Sequence, residues 1–283
     1  MRVPTKTASQ WQENVNAYFK ARSSYWKDIY AGGGVQAEIY RTRQNTALAW
    51  IDELALTPDA RILEIGCGAG FMSIELARKG FHVQATDSNE AMVNLARENV
   101  AKAGISELIS LEACDVCGMV FQDNFFDLVI AIGVIPWLAQ PELALQEMAR
   151  VTKPEGSVLL TADNEWRLIN LMDPLTNPTL TPLRKGIKNI LERKGFYHEP
   201  PGRVMETFHK CGSIDETLMD VGLMKTKGTT LGFGPFTFLS HKILPTILDI
   251  ELHRKLQRFA DRNMPGFRSS GAHYLVLARK QSS

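Results

Sequence analysis

The segment most able to do chemistry is a glycine-rich run, Leu63-Glu64-Ile65-Gly66-Cys67-Gly68-Ala69-Gly70-Phe71. It lies between an apolar run typical of a strand and a stretch typical of a helix. Glycines in such a turn let backbone N–H groups approach a ligand closely. Seventeen residues after Gly70, Asp87 ends the next apolar run, where its carboxylate can accept hydrogen bonds from both hydroxyls of a ribose. Together these features predict a site for a cofactor that contains a nucleoside.

The spacing of the glycines separates two classes of cofactor. A dinucleotide loop has the spacing G-x-G-x-x-G. Here the glycines lie at 66, 68 and 70, and Glu64 precedes the first of them by two residues. The negative charge of Glu64 would repel a pyrophosphate, but it would suit a cationic cofactor that carries an amino acid. A nicotinamide-dependent oxidoreductase is therefore disfavoured.

Short apolar runs alternate with helical stretches around this loop. Such alternation over about 100 residues is typical of βαβ units around a buried parallel sheet. The sequence therefore predicts an α/β, doubly wound, Rossmann-like fold with a seven-stranded, mostly parallel sheet. The predicted strands are Arg61–Ile65, His82–Thr86, Ile109–Glu112, Phe126–Ile132, Val158–Thr161, Lys225–Leu231 and His273–Ala278.

The segments outside this alternation divide the chain into further units. Residues 1–54 carry aromatic side chains at helical spacing and are predicted to form an N-terminal helical lid. Residues 55–163 and 213–283 are predicted to form the core, with a helical insert near 240–262. Residues 164–212, where the alternation lapses, are predicted to form a helical cap insert.

Composition excludes several classes of protein. The chain has 283 residues, 45% of them hydrophobic, which is typical of a globular protein and not of a disordered or collagen-like one. A formal net charge of +1 leaves no surplus of Lys and Arg for phosphates, so no nucleic-acid partner is expected. Four scattered cysteines, a polar start and an interrupted apolar stretch at 233–250 predict a cytoplasmic protein without a membrane span.

Five motifs follow one another within residues 55–163: Glu64-x-Gly66-x-Gly68-x-Gly70, Asp87, Cys114-Asp115-Val116, the strand at 126–131 and Arg150-Val151-Thr152-Lys153-Pro154-Glu155-Gly156. Together they resemble the class I S-adenosylmethionine-dependent methyltransferases. The chain most closely resembles the small-molecule type found in ubiquinone and menaquinone biosynthesis. At Glu155 the family usually has a second glycine, which is a mild departure far from the cofactor.

The resemblance implies S-adenosyl-L-methionine as the cofactor and a small molecule as the methyl acceptor. It implies that residues 66–68 line the methionine and ribose portions, that Asp87 holds the ribose, and that residues 132–133 face the sulfonium. Ser88 and Met92 would flank the adenine, whose amino edge would meet residues 115–116. The implied cofactor-binding residues are Glu64, Gly66, Cys67, Gly68, Gly70, Asp87, Ser88, Met92, Asp115, Val116, Ile132 and Gly133.

In such enzymes a Tyr or Arg of the N-terminal helices often meets the cofactor carboxylate. The sequence does not choose among the eligible residues, which are Tyr18, Tyr25, Tyr30 and Arg43. The same region also resembles the lead-in of magnesium-protoporphyrin methyltransferases, at Tyr18-Phe19, Trp26 and Ile29-Tyr30. That match is too short to identify a substrate.

The acceptor is less defined than the cofactor. Apolar residues of the inserts, Phe233, Phe236, Phe238 and Leu239, favour an acceptor with a hydrophobic portion. Nucleic-acid methyltransferases are disfavoured, because residues 132–137 lack their motifs. A protein methyltransferase and a non-catalytic cofactor-binding scaffold stay open, no residue is assigned as catalytic, and no metal is implied.

Several other residue types could carry chemistry. Cys114 and Cys117 have C-x-x-C spacing, but no second pair accompanies them, so buried structural thiols are the favoured interpretation. His82 and His273 are interpreted as sheet-edge residues. Trp137 could flank the substrate or simply pack on the sheet. A general base could come from the inserts, whose histidines are His198, His209, His241 and His253.

Overall fold

The computed structural model describes residues 8–22, 25, 29, 32–193 and 206–282. Trp26, Tyr30 and His198, which the sequence singled out, lie outside the described residues, as does the part of the predicted cap at 194–205. The described α-helices are α1 (Ala8–Ala21), α2 (Val35–Glu53), α3 (Phe71–Arg78), α4 (Glu90–Ala103), α5 (Pro141–Val151), α6 (Leu168–Met172), α7 (Thr181–Arg193), α8 (Cys211–Asp220) and α9 (Thr246–Asp261). The described strands are β1 (Arg61–Ile65), β2 (His82–Asp87), β3 (Ile109–Ala113), β4 (Phe126–Ala131), β5 (Thr152–Asn164), β6 (Phe208–His209), β7 (Leu223–Leu231), β8 (Thr237–Phe238), β9 (His241–Lys242) and β10 (His273–Lys280).

The central sheet has the order β3-β2-β1-β4-β5-β10-β7. Strands β1 to β5 pair in parallel, whereas β10 runs antiparallel to both β5 and β7. The prediction of a mostly parallel Rossmann-like sheet is therefore confirmed. The two-residue strand β6 adds an eighth strand to the seven predicted ones, because it pairs in parallel with the end of β5.

Apolar side chains fill both faces of this sheet. Along β1, Leu63 and Ile65 pack in one hydrophobic core with Leu145 of α5, whereas Ile62 packs in a second core with Leu76 of α3. A strand buried on both faces reads as a nearly continuous apolar run. This is why the core strands could be recognised from sequence.

Strand β5 is longer than the predicted segment Val158–Thr161. It continues through Asp163 to Asn164, because β10 pairs with it from Ser157 to Asp163. Polar residues at 163 and 164 are typical of a strand end, so the sequence did not indicate this extension. The extension places the buried carboxylate of Asp163 at the carboxyl end of β5, where the candidate site lies.

The loop between β7 and β8 supports a third, smaller hydrophobic core. Phe233 and Phe236 pack there against Leu256 and Ala260 of α9. The Nδ1 atom of His253 accepts a hydrogen bond of 3.1 Å from the N–H of Phe233, so this histidine holds the loop in place.

Candidate functional site

A cavity lies at the carboxyl ends of β1, β2 and β4, beside the point where the strand order reverses. In doubly wound sheets this crevice is the usual place for a ligand. Helices α1 and α2 form its other wall, through side chains that include Val15, Phe19 and Arg43. Nine of the twelve residues predicted to bind the cofactor line this cavity: Glu64, Gly66, Cys67, Gly68, Asp87, Ser88, Met92, Ile132 and Gly133.

The other three predicted residues lie outside the walls of this cavity. Gly70 precedes α3 with φ of 81°, a conformation that favours glycine. The carboxylate of Asp115 accepts a hydrogen bond of 2.9 Å from the N–H of Cys117. Val116 is buried in the hydrophobic core beside α5. These three residues are placed where they can support the site, but they do not contact the cavity directly.

Asp87 ties the glycine-rich loop to the next strand. Its Oδ2 atom accepts a hydrogen bond of 2.9 Å from the N–H of Gly68, and its Oδ1 atom accepts one of 2.9 Å from the N–H of Asn89. Burial raises the pKa of this carboxyl above its usual value. Each carboxylate oxygen has a second lone pair, so both can still accept a bond from a ligand hydroxyl.

Glu64 is a fully buried carboxyl beneath the same loop. The hydroxyl of Ser73 donates a hydrogen bond to it. Burial raises the pKa of Glu64 to about 7, and the nearby Asp87 acts in the same direction. A positive charge in the cavity would favour the ionised form of Glu64. The site is therefore suited to a cationic ligand, as the sequence predicted.

The raised pKa of Glu64 predicts a pH-dependent stability. The folded protein holds this proton more tightly than the unfolded chain, whose carboxyl has the usual value of 4.5. Stability should therefore fall as pH rises from about 4.5 to about 7, by roughly 3 kcal/mol in total. Urea unfolding across this range should show the loss in the wild type and its absence in Glu64→Gln. An exposed control, Glu107→Gln, should behave like the wild type, and parallel curves for Glu64→Gln and wild type would contradict the assignment.

Helix α1 closes the cavity from the side of α4. The indole N–H of Trp11 donates a hydrogen bond of 2.7 Å to the carbonyl of Trp137. The amide of Gln12 donates one of 3.0 Å to the hydroxyl of Ser88, and the amide of Asn89 donates one of 2.8 Å to the carbonyl of Asn16. These bonds join α1 to the ends of β2 and β4, where the cavity opens.

Trp137 both packs and lines the cavity, so the two interpretations left open by the sequence are compatible. Its ring centroid lies 5.1 Å from that of Tyr18 and 4.9 Å from that of Phe19. The side chain is buried and belongs to the cavity wall. Together these aromatic rings make the wall apolar where it meets α1.

Arg43 is the described N-terminal candidate that reaches the cavity. Its guanidinium lies 4.4 Å above the ring of Tyr40, and its Nε atom is buried without a hydrogen-bond partner in the described part of the chain. A Cβ on Gly133 would lie 3.3 Å from its Nη1 atom, so the guanidinium sits beside the end of β4. Tyr18 instead packs on Trp137, and Tyr25 is exposed.

A second cavity adjoins the first and is more polar. The two share Tyr40, Asp163, Glu206 and His273. Among the further lining residues of the second are Gln36, Arg167, Asn170, Gly234, Pro235 and Thr237. The sequence did not single out Tyr40, Asp163, Arg167 or Glu206. Of these four, only Asp163 has a sequence feature that could have identified it, because it follows an apolar strand as Asp87 does.

His273 was interpreted as a sheet-edge residue, and this interpretation was wrong. Its strand β10 lies between β5 and β7, and the side chain is buried. The Nδ1 atom of His273 lies 2.9 Å from Oδ1 of Asp163, its register partner on β5. Only the pairing of these strands creates the contact, because the two residues are separated by 110 positions.

The apolar residues that favoured a hydrophobic acceptor lie away from both cavities. Phe233 and Phe236 are buried against α9, whereas Phe238 is 50% exposed and Leu239 is 47% exposed. None of these side chains lines either cavity. Apolar walls are instead supplied by the ends of β4 and α1.

The cysteine pair shows no feature of a redox site. Cys114 and Cys117 are free and half-buried, so the expectation that both thiols are buried is wrong. Burial raises the pKa of both thiols, that of Cys117 to about 11, and a thiol is unreactive while protonated. Within the ranges that the structure describes, no group of three or more His, Cys, Asp or Glu side chains is arranged to hold a metal ion.

Known proteins share parts of this chain. Residues 63–160 match a family model described as a methyltransferase domain. The chain is 31% identical over 126 residues to a ubiquinone biosynthesis O-methyltransferase of Hahella chejuensis, a match that covers 41% of this chain and 49% of that protein. It spans about half the length of the curated relatives it matches.

Solved structures share the fold over almost the whole chain. The magnesium protoporphyrin IX methyltransferase ChlM of Synechocystis, with bound SAH, has a TM-score of 0.62 at 19% identity over 96% of this chain and 100% of that one. The cyclase SpnF has a TM-score of 0.64 at 15% identity over 99% of each chain. At such identities the likeness establishes the fold.

In the portion of the chain covered by the structure, no helix is both long enough and apolar enough to cross a membrane.

Proposed function

We propose that this protein is a class I S-adenosylmethionine-dependent methyltransferase that transfers a methyl group from S-adenosyl-L-methionine to a small-molecule acceptor. The match of residues 63–160 to a methyltransferase domain supports this proposal. One observation carries the proposal: the first cavity brings together, around a glycine-rich loop, the Asp87 carboxylate and the Arg43 guanidinium, whose Nε atom has no hydrogen-bond partner among the described residues. Folds of this kind host different reactions, so the function rests on these residues.

The residues of the first cavity fit the parts of this cofactor. The buried Nε atom of Arg43 has no partner among the described residues, so a carboxylate would satisfy it. The Asp87 carboxylate has free lone pairs for the two ribose hydroxyls. Glu64, buried beneath the loop, gains from a cationic neighbour. The other proposed contacts are those of Gly66, Cys67, Gly68, Ser88, Met92, Ile132 and Gly133. Gly70, Asp115 and Val116 are proposed to support the loop and the adjoining turn.

The protein's part in the reaction is to position the reactants and exclude water. When bound, the cofactor supplies a methyl group that its sulfonium has already activated. Residues 132–134 at the end of β4 line the first cavity, and α1 with Trp137 covers it. Alignment of the two reacting groups and exclusion of water lower the barrier of such a displacement.

The acceptor is proposed to have a hydrophobic portion and to enter through the second cavity. Support for the hydrophobic portion comes from the apolar side chains that line the first cavity, including Phe19, Val134 and Pro136. The proposed unit boundaries are those of the sequence: a lid at 1–54, a core at 55–163 and 213–283, and a cap at 164–212. A cytoplasmic location is supported by the four free cysteines.

Thermal melting with three ligands tests the proposed cofactor. A ligand at 100 times its Kd adds ~2.7 kcal/mol, which should raise the Tm by several degrees. S-adenosyl-L-methionine and S-adenosylhomocysteine should both raise it, and NAD should not. A rise with NAD alone would overturn the proposal.

Transfer of a radiolabelled methyl group to proteins but to no small molecule would favour a protein methyltransferase, and no transfer to either would favour a scaffold.

The closing role of α1 gives a further prediction. Trp11→Phe removes the N–H that bonds the Trp137 carbonyl but keeps most of the ring. Losing this hydrogen bond should remove about 1 kcal/mol of stabilisation from the closed position of α1, which should speed dissociation of S-adenosyl-L-methionine roughly 5-fold. Stopped-flow measurement of the dissociation rate checks this, with Trp166→Phe in the cap as a control. Equal rates for Trp11→Phe and the wild type would show that α1 does not retain the cofactor.

A further inference from the structure

A carboxylate and an imidazole form a buried pair at the boundary of the two cavities. Asp163 ends β5 and His273 begins β10, so the antiparallel pairing sets them side by side. Their side chains are each 9% exposed and are joined by the 2.9 Å contact between Oδ1 and Nδ1. Both residues line both cavities. The pair is therefore placed where a group in the second cavity would meet a group in the first.

The neighbours of this pair determine which nitrogen of the His273 imidazole carries the proton. Burial alone would raise the pKa of Asp163, but His273, Arg167 and Arg43 lower it below its usual value. An ionised Asp163 accepts the hydrogen bond of the Nδ1–H group, which leaves the lone pair of the imidazole on Nε2. Among the described residues, the contact with Asp163 through Nδ1 is the hydrogen bond seen for the His273 ring, and it leaves Nε2 for a ligand. A base oriented by a carboxylate is the arrangement that proton abstraction requires.

The charges around the pair favour an oxygen acceptor. Arg43 and Tyr40 face it from α2, and Arg167 and Glu206 face it from the cap. Burial, with Asp163, raises the pKa of Glu206 to about 7. When Glu206 is protonated, the charged groups beside His273 are two guanidiniums and one carboxylate. This surplus of positive charge stabilises a developing oxyanion and repels an ammonium group.

We infer that His273 is the general base of the proposed methyl transfer, that Asp163 is its positioning residue, and that the acceptor is a phenolic or enolic hydroxyl compound. This inference rests on the proposed function. His273 Nε2 takes the proton as the acceptor's O–H bond breaks. The new O–C bond to the methyl group forms while the C–S bond breaks, and that electron pair stays on sulfur. Asp163 stabilises the imidazolium, which then returns its proton to water.

Transfer of a radiolabelled methyl group to catechol, 3,4-dihydroxybenzoate and hydroquinone, with aniline and benzylamine as amine controls, tests the acceptor class. The wild type should label hydroxyl oxygens. His273→Ala should lower kcat by 10²- to 10⁴-fold, and free imidazole or alkaline pH should restore part of it. Asp163→Asn should also lose activity, since an amide donor would place the proton on Nε2. His241→Ala, on the exposed strand β9, should match the wild type.

Two further readouts do not depend on turnover. Calorimetry should show S-adenosyl-L-methionine binding to His273→Ala and His273→Gln within about twofold of the wild type, which also shows that both variants fold. The absorbance of 4-nitrophenol should shift toward the phenolate on binding to the wild type but not to either variant. Failure of the wild type to bind the cofactor would overturn the proposed function itself.

Other outcomes overturn the inference while leaving the proposed function intact. One is that His273→Ala keeps the kcat and the pH profile of the wild type. Another is that the wild type methylates only nitrogen or carbon atoms. A third is that the wild type neither labels any of the hydroxyl compounds nor shifts the absorbance of 4-nitrophenol. A loss of kcat in His273→Ala that neither imidazole nor alkaline pH restores would assign the residue a purely structural part.

Discussion

Asp87→Ala is expected to weaken binding of S-adenosyl-L-methionine by 10²- to 10³-fold, as measured by isothermal titration calorimetry. Two hydrogen bonds from ribose hydroxyls to one carboxylate contribute about 3 to 4 kcal/mol together, and each 1.4 kcal/mol is a tenfold change in Kd. The carboxylate is already oriented by the N–H groups of Gly68 and Asn89, so little ordering is required when the ligand binds.

A matched control separates this role from a general loss of charge near the strand ends. Glu112→Ala removes a carboxylate that lies near the end of β3 and accepts a hydrogen bond of 2.8 Å from the side-chain amide of Gln84, but that lies outside the cavity. Its effect on Kd should stay below about threefold. Similar losses in Glu112→Ala and Asp87→Ala would contradict the assignment.

A ligand without the ribose hydroxyls separates direct contact from support of the loop. In competition experiments, 2′,3′-dideoxyadenosine should bind the wild type and Asp87→Ala alike, whereas adenosine should lose affinity in the variant. If both nucleosides lose affinity equally, Asp87 acts by holding Gly68 in place.

Gly66→Ala is expected to lower the free energy of unfolding by about 2 to 5 kcal/mol. Gly66 has φ of 67°, which costs an L-residue roughly 1–2 kcal/mol. A Cβ at this position would overlap Cγ2 of Val134, and overpacking costs roughly 1–3 kcal/mol more. Urea denaturation of the variant and the wild type measures the sum.

Gly104→Ala serves as the control, because it shares the backbone conformation without the overlap. Its φ is 71° and a Cβ there would meet no atom within 4 Å, so it should lose only the backbone cost of roughly 1–2 kcal/mol. Adding Val134→Ala to Gly66→Ala removes the overlapping methyl group and should recover part of the loss. If Gly66→Ala and Gly104→Ala lose the same amount, the close approach of the loop to Val134 is not significant.

The sequence predicted the part of the site that is built from short stretches of chain. The loop of residues 63–71 and the carboxylate of Asp87 lie on consecutive strands, and their spacing carried the prediction. Nine of the twelve proposed positions line one cavity because parallel strands present their carboxyl ends at the same edge. Only Gly70, Asp115 and Val116 lie behind that wall.

The sequence could not predict the second cavity. The interpretation of His273 as a sheet-edge residue failed because the order of β5, β10 and β7 cannot be deduced from local periodicity. The packing of Phe233 and Phe236 could not be predicted for the same reason, since their packing partner α9 is defined only by the folded chain.

The sequence by itself determined the class of fold, the core strands and the cofactor loop, because hydrophobic periodicity and glycine spacing act over a few residues. Only the tertiary structure decided which distant side chains line the two cavities. Arg43 comes from α2, Asp163 from β5, Arg167 and Glu206 from the segment 164–212, and His273 from β10. Their proximity results from strand pairing and helix packing between distant segments, and no local pattern of residue types records such contacts.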